Sequence, residues 1–186
     1  MPTATMRSPL TSRRLLASVT VAAASLVATA TFAGCAGHVR NIPGTKIADD
    51  KVNRGIRDAV EAYRVAVERG DAEALYLMAS DKYVEDGGTS VGSDDYTHEG
   101  LKDVLAGRFR MARDIRYAMR YVNIQRNCAA SEGEPETGCM AKVDVLIDAS
   151  FTISDARGQD KRVDKRDQNE LILEWNGDKW QFISGM

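Results

Sequence analysis

The chain is short of the residues that most often carry metal and phosphate chemistry. Histidine occurs 2 times in 186 residues, and only His98 lies beyond position 48. Cys128 and Cys139 have no histidine near them, so a mixed Cys/His zinc site is not indicated there. No Gly-rich loop ending in Gly-Lys-Ser/Thr is present, which removes the commonest phosphate cradle. Basic residues never gather into a run, and no acid precedes Asp49. Long apolar runs are missing too. The one uncharged stretch of near-membrane length, after Arg14, is rich in Ala, Ser and Thr, and its strongly apolar block falls short of the ~20 residues a bilayer-spanning helix requires.

That stretch has an anatomy of its own. Arg13 and Arg14 precede Leu15 through Val27, and the segment closes in Phe32-Ala33-Gly34-Cys35. Basic head, apolar middle and small residues before a cut are the order of an export signal. The cysteine directly after Ala33-Gly34 resembles the lipobox of bacterial lipoproteins, with Phe32 where leucine is usual. The resemblance implies a diacylglyceryl thioether on Cys35, cleavage before it and an acylated new N-terminus. An ordinary cleaved signal followed by an unrelated cysteine, and a retained membrane helix, are the competing readings. One acyl chain holds a protein only marginally at ~0.8 kcal/mol per buried methylene, whereas the implied three would keep it on the membrane. Ala36 stands where aspartate often marks inner-membrane retention, so the same resemblance points to the outer membrane in a cell that has one. The expected location is the bacterial cell envelope, membrane-anchored and facing the periplasm or the surface.

The chain divides into a signal at 1–34, a lipidated cysteine and tether at 35–48, and one domain at 49–186. The tether lacks periodicity and holds Pro43-Gly44; a dozen extended residues reach roughly 40 Å, enough to lift a small domain off the head groups. Loss of the signal removes Arg7, Arg13 and Arg14, leaving 22 basic against 27 acidic residues, a net of −5. A mildly acidic domain without a basic run has no electrostatic footprint for nucleic acid.

Within the domain, Val52, Ile56, Val60, Tyr63 and Val67 recur at spacings of three and four, the stripe of an amphipathic helix that Gly70 ends. Asp71 caps a shorter helix through Met78. Lys82 to Asp86 reads as a short edge strand and Gly87 to Asp95 as an irregular loop. A third helix follows, with Thr97 as its cap and Leu101, Val104, Leu105, Phe109 and Ala112 on its buried side.

Strands come next. Arg116 to Gln125 and Ala141 to Ile153 flank a polar loop bracketed by Cys128 and Cys139, which an oxidising compartment should join. If those cysteines face each other, paired residue numbers sum to 267, placing Val122 and Ile124 across from Val145 and Val143. Farther along, that register sends Tyr117, Met119 and Tyr121 to the outer face and sets Arg120 opposite Ile147, which calls for a bulge that switches the alternation. Asn176-Gly177 joins a last pair, Glu170 to Trp175 and Lys179 to Ile183, as a two-residue hairpin with Leu173 opposite Trp180 and Leu171 opposite Phe182; a slip of two residues keeps the same face. The charged segment from Ala156 to Gln168 reads as an exposed turn and flank.

Three helices with a short strand among them, four antiparallel strands and a closing Lys179-Trp180-Gln181-Phe182-Ile183 resemble the nuclear transport factor 2-like superfamily. The resemblance implies an α+β cone, three helices packed on a strongly bent antiparallel sheet, able to hold a small apolar ligand. Relatives include ketosteroid isomerases, polyketide cyclases and subunits without chemistry. No shared catalytic motif exists to be matched. The aromatic candidates for ligand contact are Tyr63, Tyr83, Tyr96 and Tyr117; the candidate acids and bases are Asp94, Asp95 and His98. Glu85, Asp86, Asp94 and Asp95 lack the alternating spacing of a calcium loop, and no cofactor or metal is expected. The first reading is a lipid-anchored, non-catalytic envelope protein that binds a small hydrophobic ligand or a partner protein. The alternative is an isomerase- or cyclase-like enzyme using Asp94 or Asp95 with a tyrosine. A homodimer through the outer sheet face, at Tyr117, Tyr121 and Ile172, is a third.

Overall fold

The computed structural model describes residues 40–87, 95–129, 133–155 and 157–186. Helix α1 (Lys51–Arg69) forms on the predicted stripe and buries Val52, Ile56, Val60, Tyr63 and Ala66. The Asp50 carboxylate accepts the Asn53 amide at 2.9 Å, and Gly70 closes the helix in the left-handed region at φ 65°. Helix α2 (Ala72–Met78) is capped by Asp71, which accepts the Ala74 amide at 2.9 Å. Ahead of α1, residues 41–48 close on themselves through an Asn41–Ala48 bridge, burying Ile42 and Ile47, so the described chain is folded from residue 40 onward. Among the described residues no helix is long and apolar enough to cross a membrane.

The short strand pairs with a second that was not expected, lying between the loop and the third helix: β1 (Val84–Glu85) lies antiparallel to β2 (Tyr96–Thr97). Helix α3 (His98–Met111) starts directly from β2. Thr97 occupies the cap position, but its hydroxyl makes no cap bond; the His98 amide donates instead to the Tyr83 carbonyl at 3.0 Å. The strand pairing fixes where the helix begins and satisfies its first amide.

Strands β3 (Ala112–Arg126), β4 (Met140–Ser154), β5 (Asp160–Trp175) and β6 (Trp180–Ser184) form one antiparallel sheet in that order. It is bent over α1 and not closed, with β3 and β6 as its edges. Near the cysteines the register is as expected, Ile124 opposite Val143. A bulge at Val122 then switches the alternation, so that Tyr121 faces Val145, Met119 faces Ile147 and Tyr117 faces Ala149. Val122 is pushed out to 50% exposure and does not pair with Val145. Tyr117, Met119 and Tyr121 therefore pack against the core and not on the outer face. A second bulge between Arg113 and Arg116 holds Asp114 at φ 52°, with the Arg162 guanidinium donating to its carbonyl at 2.8 Å.

Two expectations at the end of the chain are corrected. The charged segment before Glu170 is strand: β5 pairs with β4 residue by residue from Asp160. Backbone bonds and cross-strand side-chain contacts such as Arg166 to Asp148 at 3.0 Å hold it with almost no buried apolar surface. The last hairpin is offset by two residues, with Leu173 opposite Phe182 and Trp175 opposite Trp180. Its turn is longer because the Asn176 side chain accepts the amides of Asp178 and Lys179, each at 2.9 Å. All four residues stay on the buried face.

Two contacts tie the helical layer to the sheet beyond apolar packing. Arg126 donates both nitrogens of its fork to Asp50, at 2.8 and 2.7 Å, joining the start of α1 to the end of β3. The Ser80 amide donates to the Phe182 carbonyl at 2.8 Å, so the segment leaving α2 covers the β6 edge. Beyond the Arg126 end of β3, Cys128 and Cys139 form a disulfide with Cα atoms 5.5 Å apart. For so short a loop the crosslink contributes roughly 2–3 kcal/mol. The Cys128→Ser/Cys139→Ser variant, and the wild type under reductant, should both lose about that much stability, read from urea midpoints.

Asp50 supplies a pH test. Its carboxyl is held below the ordinary range by the Arg126 hydrogen bond, against the opposing effect of partial burial. A depressed folded value means stabilisation that is present above about pH 4 and lost as pH falls through the folded value. Asp50→Asn should thus cost about 1–2 kcal/mol at pH 7, and its stability should converge with wild type near pH 2 in acid titrations followed by circular dichroism.

Candidate functional site

The interior between α1, α3 and the sheet is aromatic because each element contributes one ring to it. Tyr63 comes from the buried stripe of α1, Tyr83 from the approach to β1, Tyr117 from β3 by way of the bulge, and Phe182 from β6. Tyr63 and Phe182 lie 5.3 Å apart with planes tilted by 42°, and Tyr63 meets Tyr117 edge to face at 6.3 Å. Tyr83 stacks on Tyr96 at 6.3 Å; Tyr96 lies half-buried at the rim. Leu101 and Leu105 of α3, Leu171 of β5 and Met186 fill the same core. Three of the four predicted tyrosines are thereby gathered inside, and the fourth borders them.

The acid in this interior is one that sequence reasoning did not assign to it. Tyr83 donates its hydroxyl to Glu85 Oε2 at 2.6 Å, and the same oxygen accepts the Gly185 amide at 2.7 Å. The Tyr83 oxygen in turn accepts the Met186 amide at 3.0 Å, and Asn169 donates to the Gly185 carbonyl at 2.7 Å. Gly185 adopts φ 93°, and a Cβ there would collide with the Glu170 carbonyl. The Tyr83–Glu85 pair has the chemical form of a proton-transfer couple, but its strongest hydrogen-bonding positions are taken up by Gly185 and Met186. Tyr83 and Glu85 share one strand face by their i, i+2 spacing, which was visible in the sequence. Their partners, a hundred residues away, were not.

Burial, reinforced by Glu85, pushes the Tyr83 phenol far above its ordinary range. Burial likewise raises Tyr63, with the Tyr117 hydroxyl adding to the effect, and raises Tyr117 itself. Burial also pushes Tyr121 up to about 12, while its hydroxyl donates to the Arg57 carbonyl at 3.3 Å. These phenols are held neutral, which makes them hydrogen-bond donors and poor bases.

The other predicted site residues stand elsewhere. Asp95 is exposed and accepts the Gly87 amide at 3.3 Å, closing the β1–β2 connection; it makes no bond to any of the interior tyrosines. His98 stacks on Tyr76 with ring centroids 4.3 Å apart, its Nδ1 3.4 Å from the Tyr76 hydroxyl and 4.0 Å from Asp81. It is an α2–α3 packing residue, half-buried and not an exposed helix end. Asp94 and Cys35 lie outside the described residues. No group of three or more potential metal-binding side chains gathers among the described residues.

No protein-family model matches the chain, and no curated protein sequence does. Solved structures do match in shape. A conserved protein from Planctomyces limnophilus aligns with a TM-score of 0.54 at 14% identity, over 72% of this chain and 91% of its own. A ketosteroid isomerase-like protein from Erwinia carotovora atroseptica aligns at 0.52 and 19% identity, over 71% and 91%. A candidate scytalone dehydratase from Novosphingobium aromaticivorans aligns at 0.52 and 17%, over 72% and 80%. At these identities the likeness shows the fold: the chain has the α+β, nuclear transport factor 2-like architecture expected from its element order.

The raised phenols make a prediction. Because the folded values exceed the unfolded ones, their contribution is complete below about pH 10 and is lost as pH rises above it. Thermal midpoints should fall steeply between pH 10 and 11. Tyr83→Phe should be less stable than wild type at pH 7 by about 1–2 kcal/mol, with a shallower alkaline slope.

Proposed function

We propose that this is a lipid-anchored protein of the bacterial cell envelope that works by binding and not by catalysis. The observation that carries the reading is the commitment of Glu85: the carboxylate that reaches the aromatic interior is already bonded to Tyr83 and Gly185. An acid-base catalyst needs its base within hydrogen-bond reach of substrate and free to accept a proton, and here Oε2 of Glu85 is engaged by the Tyr83 hydroxyl and the Gly185 amide. The lipobox-like Phe32-Ala33-Gly34-Cys35 supports anchoring, and the Cys128–Cys139 disulfide is consistent with an oxidising compartment. What is bound is a small hydrophobic molecule or a partner protein. The outer-face dimer loses two of its three proposed contacts, since Tyr117 and Tyr121 turn inward; Ile172 remains half-buried on the outer side.

The alternative, an isomerase- or cyclase-like enzyme, draws on the names of the structural neighbours. It would require Gly185 to leave Glu85 and Met186 to leave Tyr83 before substrate could enter, and Asp95 would have to swing in from the surface. Two measurements test the proposal. Metabolic palmitate labelling with mass spectrometry should find Cys35 acylated and the leader removed, and Cys35→Ser should lose both the label and membrane retention; a bare thiol with the leader attached overturns the anchoring. Proton exchange at activated carbons across a ketone panel should stay at the background rate in wild type and Glu85→Gln alike, and exchange that Glu85→Gln abolishes would make the protein an enzyme.

A further inference from the structure

A groove that shares Phe182 with the aromatic interior runs between α1 and the β5–β6 hairpin, with a volume of about 580 Å³, within the range of small-molecule sites. Its floor is Gly55, Ala59, Trp175, Trp180 and Phe182, with Met78 at one end. The two indoles meet at 5.7 Å with planes at 62°. Both are more than nine-tenths buried, at 8% and 7% exposure. Yet neither indole N–H has an acceptor among the described residues, and neither nitrogen is sealed from solvent. An indole N–H that reaches solvent and has no protein acceptor can donate to water or to the acceptor oxygen of a bound molecule, and the Trp180 N–H stands beside Gly55 in the groove wall.

Gly55 keeps the donor open. A Cβ at that position would stand 3.3 Å from Trp180 Nε1, and any longer side chain would cover it. Glycine inside a helix costs about 0.5–1 kcal/mol relative to alanine, and here the missing side chain leaves a flat wall against which a planar molecule can lie. The rim is electrically balanced. Of the lining residues, Lys51, Arg54 and Lys179 stand against Asp58, Glu134 and Asp178, with Lys51 bonded to Glu134 at 2.6 Å. Nothing in that arrangement selects a net charge.

We propose that this groove binds an uncharged, planar, largely apolar molecule that presents a carbonyl or similar acceptor oxygen to the Trp180 indole N–H. This deepens the binding reading above by naming a site and a ligand class, and rests on that reading only for binding being the protein's role. The chain holds 2 tryptophans, both in the groove, so its indole emission reports on this site alone. The probe is 2-acetylnaphthalene, with 2-ethylnaphthalene as its acceptor-free counterpart, added to the full chain in phosphatidylcholine nanodiscs. The acetyl compound should quench emission saturably. Gly55→Leu, which fills the groove, should leave only the linear component due to partition into lipid. Trp180→Phe should weaken the acetyl compound about fivefold, the worth of one ordinary hydrogen bond, and leave the ethyl compound unchanged, with Trp175 as the reporter. Circular dichroism checks that each variant is folded, and Gly55→Ala replaces Gly55→Leu if the latter is not. Absence of saturable quenching, equal binding in the filled variant, or an equal effect of Trp180→Phe on both probes would each overturn the assignment. Such a failure removes the groove and leaves the acylation and exchange outcomes standing, so the two proposals fail separately.

Discussion

The alternation of β3 has to change sides once along its length, and the rest of the structure depends on where it does. On the Cys128 side of Val122 the inward residue is Ile124; on the other side the inward residues are Tyr121, Met119 and Tyr117. A strand without the extra residue would turn Arg120 and Arg116 toward α1 and leave the three large side chains in water. Burying an unpaired guanidinium costs several kcal/mol, and each exposed aromatic gives up roughly 1.5–3 kcal/mol of burial. One unpaired backbone residue at the bulge is a far smaller loss. The bulge also bends the strand, and a bent β3 is what allows one sheet to wrap a 19-residue helix.

From that wrapping the closed interior follows. Once Tyr117 faces Tyr63, the space between helix and sheet is narrowed by rings from α1, β3 and β6, and Gly185 with Met186 occupies the end beside β1. Among the described residues, Tyr63 packs on both Tyr117 and Phe182 in this space, and Leu101, Leu105, Leu171 and Met186 share the same core. The Glu85 carboxylate is partly buried beside this core. A carboxylate in apolar surroundings is tolerable when it accepts hydrogen bonds, and Tyr83 with the Gly185 amide supplies two on one oxygen.

Much of the architecture was legible because periodicity and caps act locally. The α1 stripe, Asp50, Gly70, Asp71 and the alternation of β4 each carry their signal within a few residues. The need for a bulge in β3 was legible too, since the two halves of the strand demand opposite faces, but its position at Val122 was not: it is set by which side chains meet α1. The first ten residues of β5 gave no signal, because both faces of that part of the sheet are solvated and apolar alternation is the mark of a half-buried strand. The Asn176 turn was recognisable as a turn, and its length was misread because the side chain, and not the backbone alone, sets the geometry. At the candidate site, the tyrosines could be named from the sequence. The acid could not, since Glu85 owes its place to residue 185.

The groove and the filled interior have a common origin in the two faces of α1. One face carries Val52, Ile56, Val60 and Tyr63, whose large side chains must be buried for the domain to be stable. The adjacent face carries Gly55, Ala59 and Ala62, which offer little apolar area per residue. At about 25 cal/mol per Å², leaving a glycine and two alanines uncovered forfeits little, whereas leaving the other face uncovered would unfold the helix from the sheet. A helix can therefore satisfy the core with one face and keep the other open at small cost. The tryptophans make that open face unusual: they are buried by their neighbours for stability, yet their N–H groups remain at the edge of the uncovered surface.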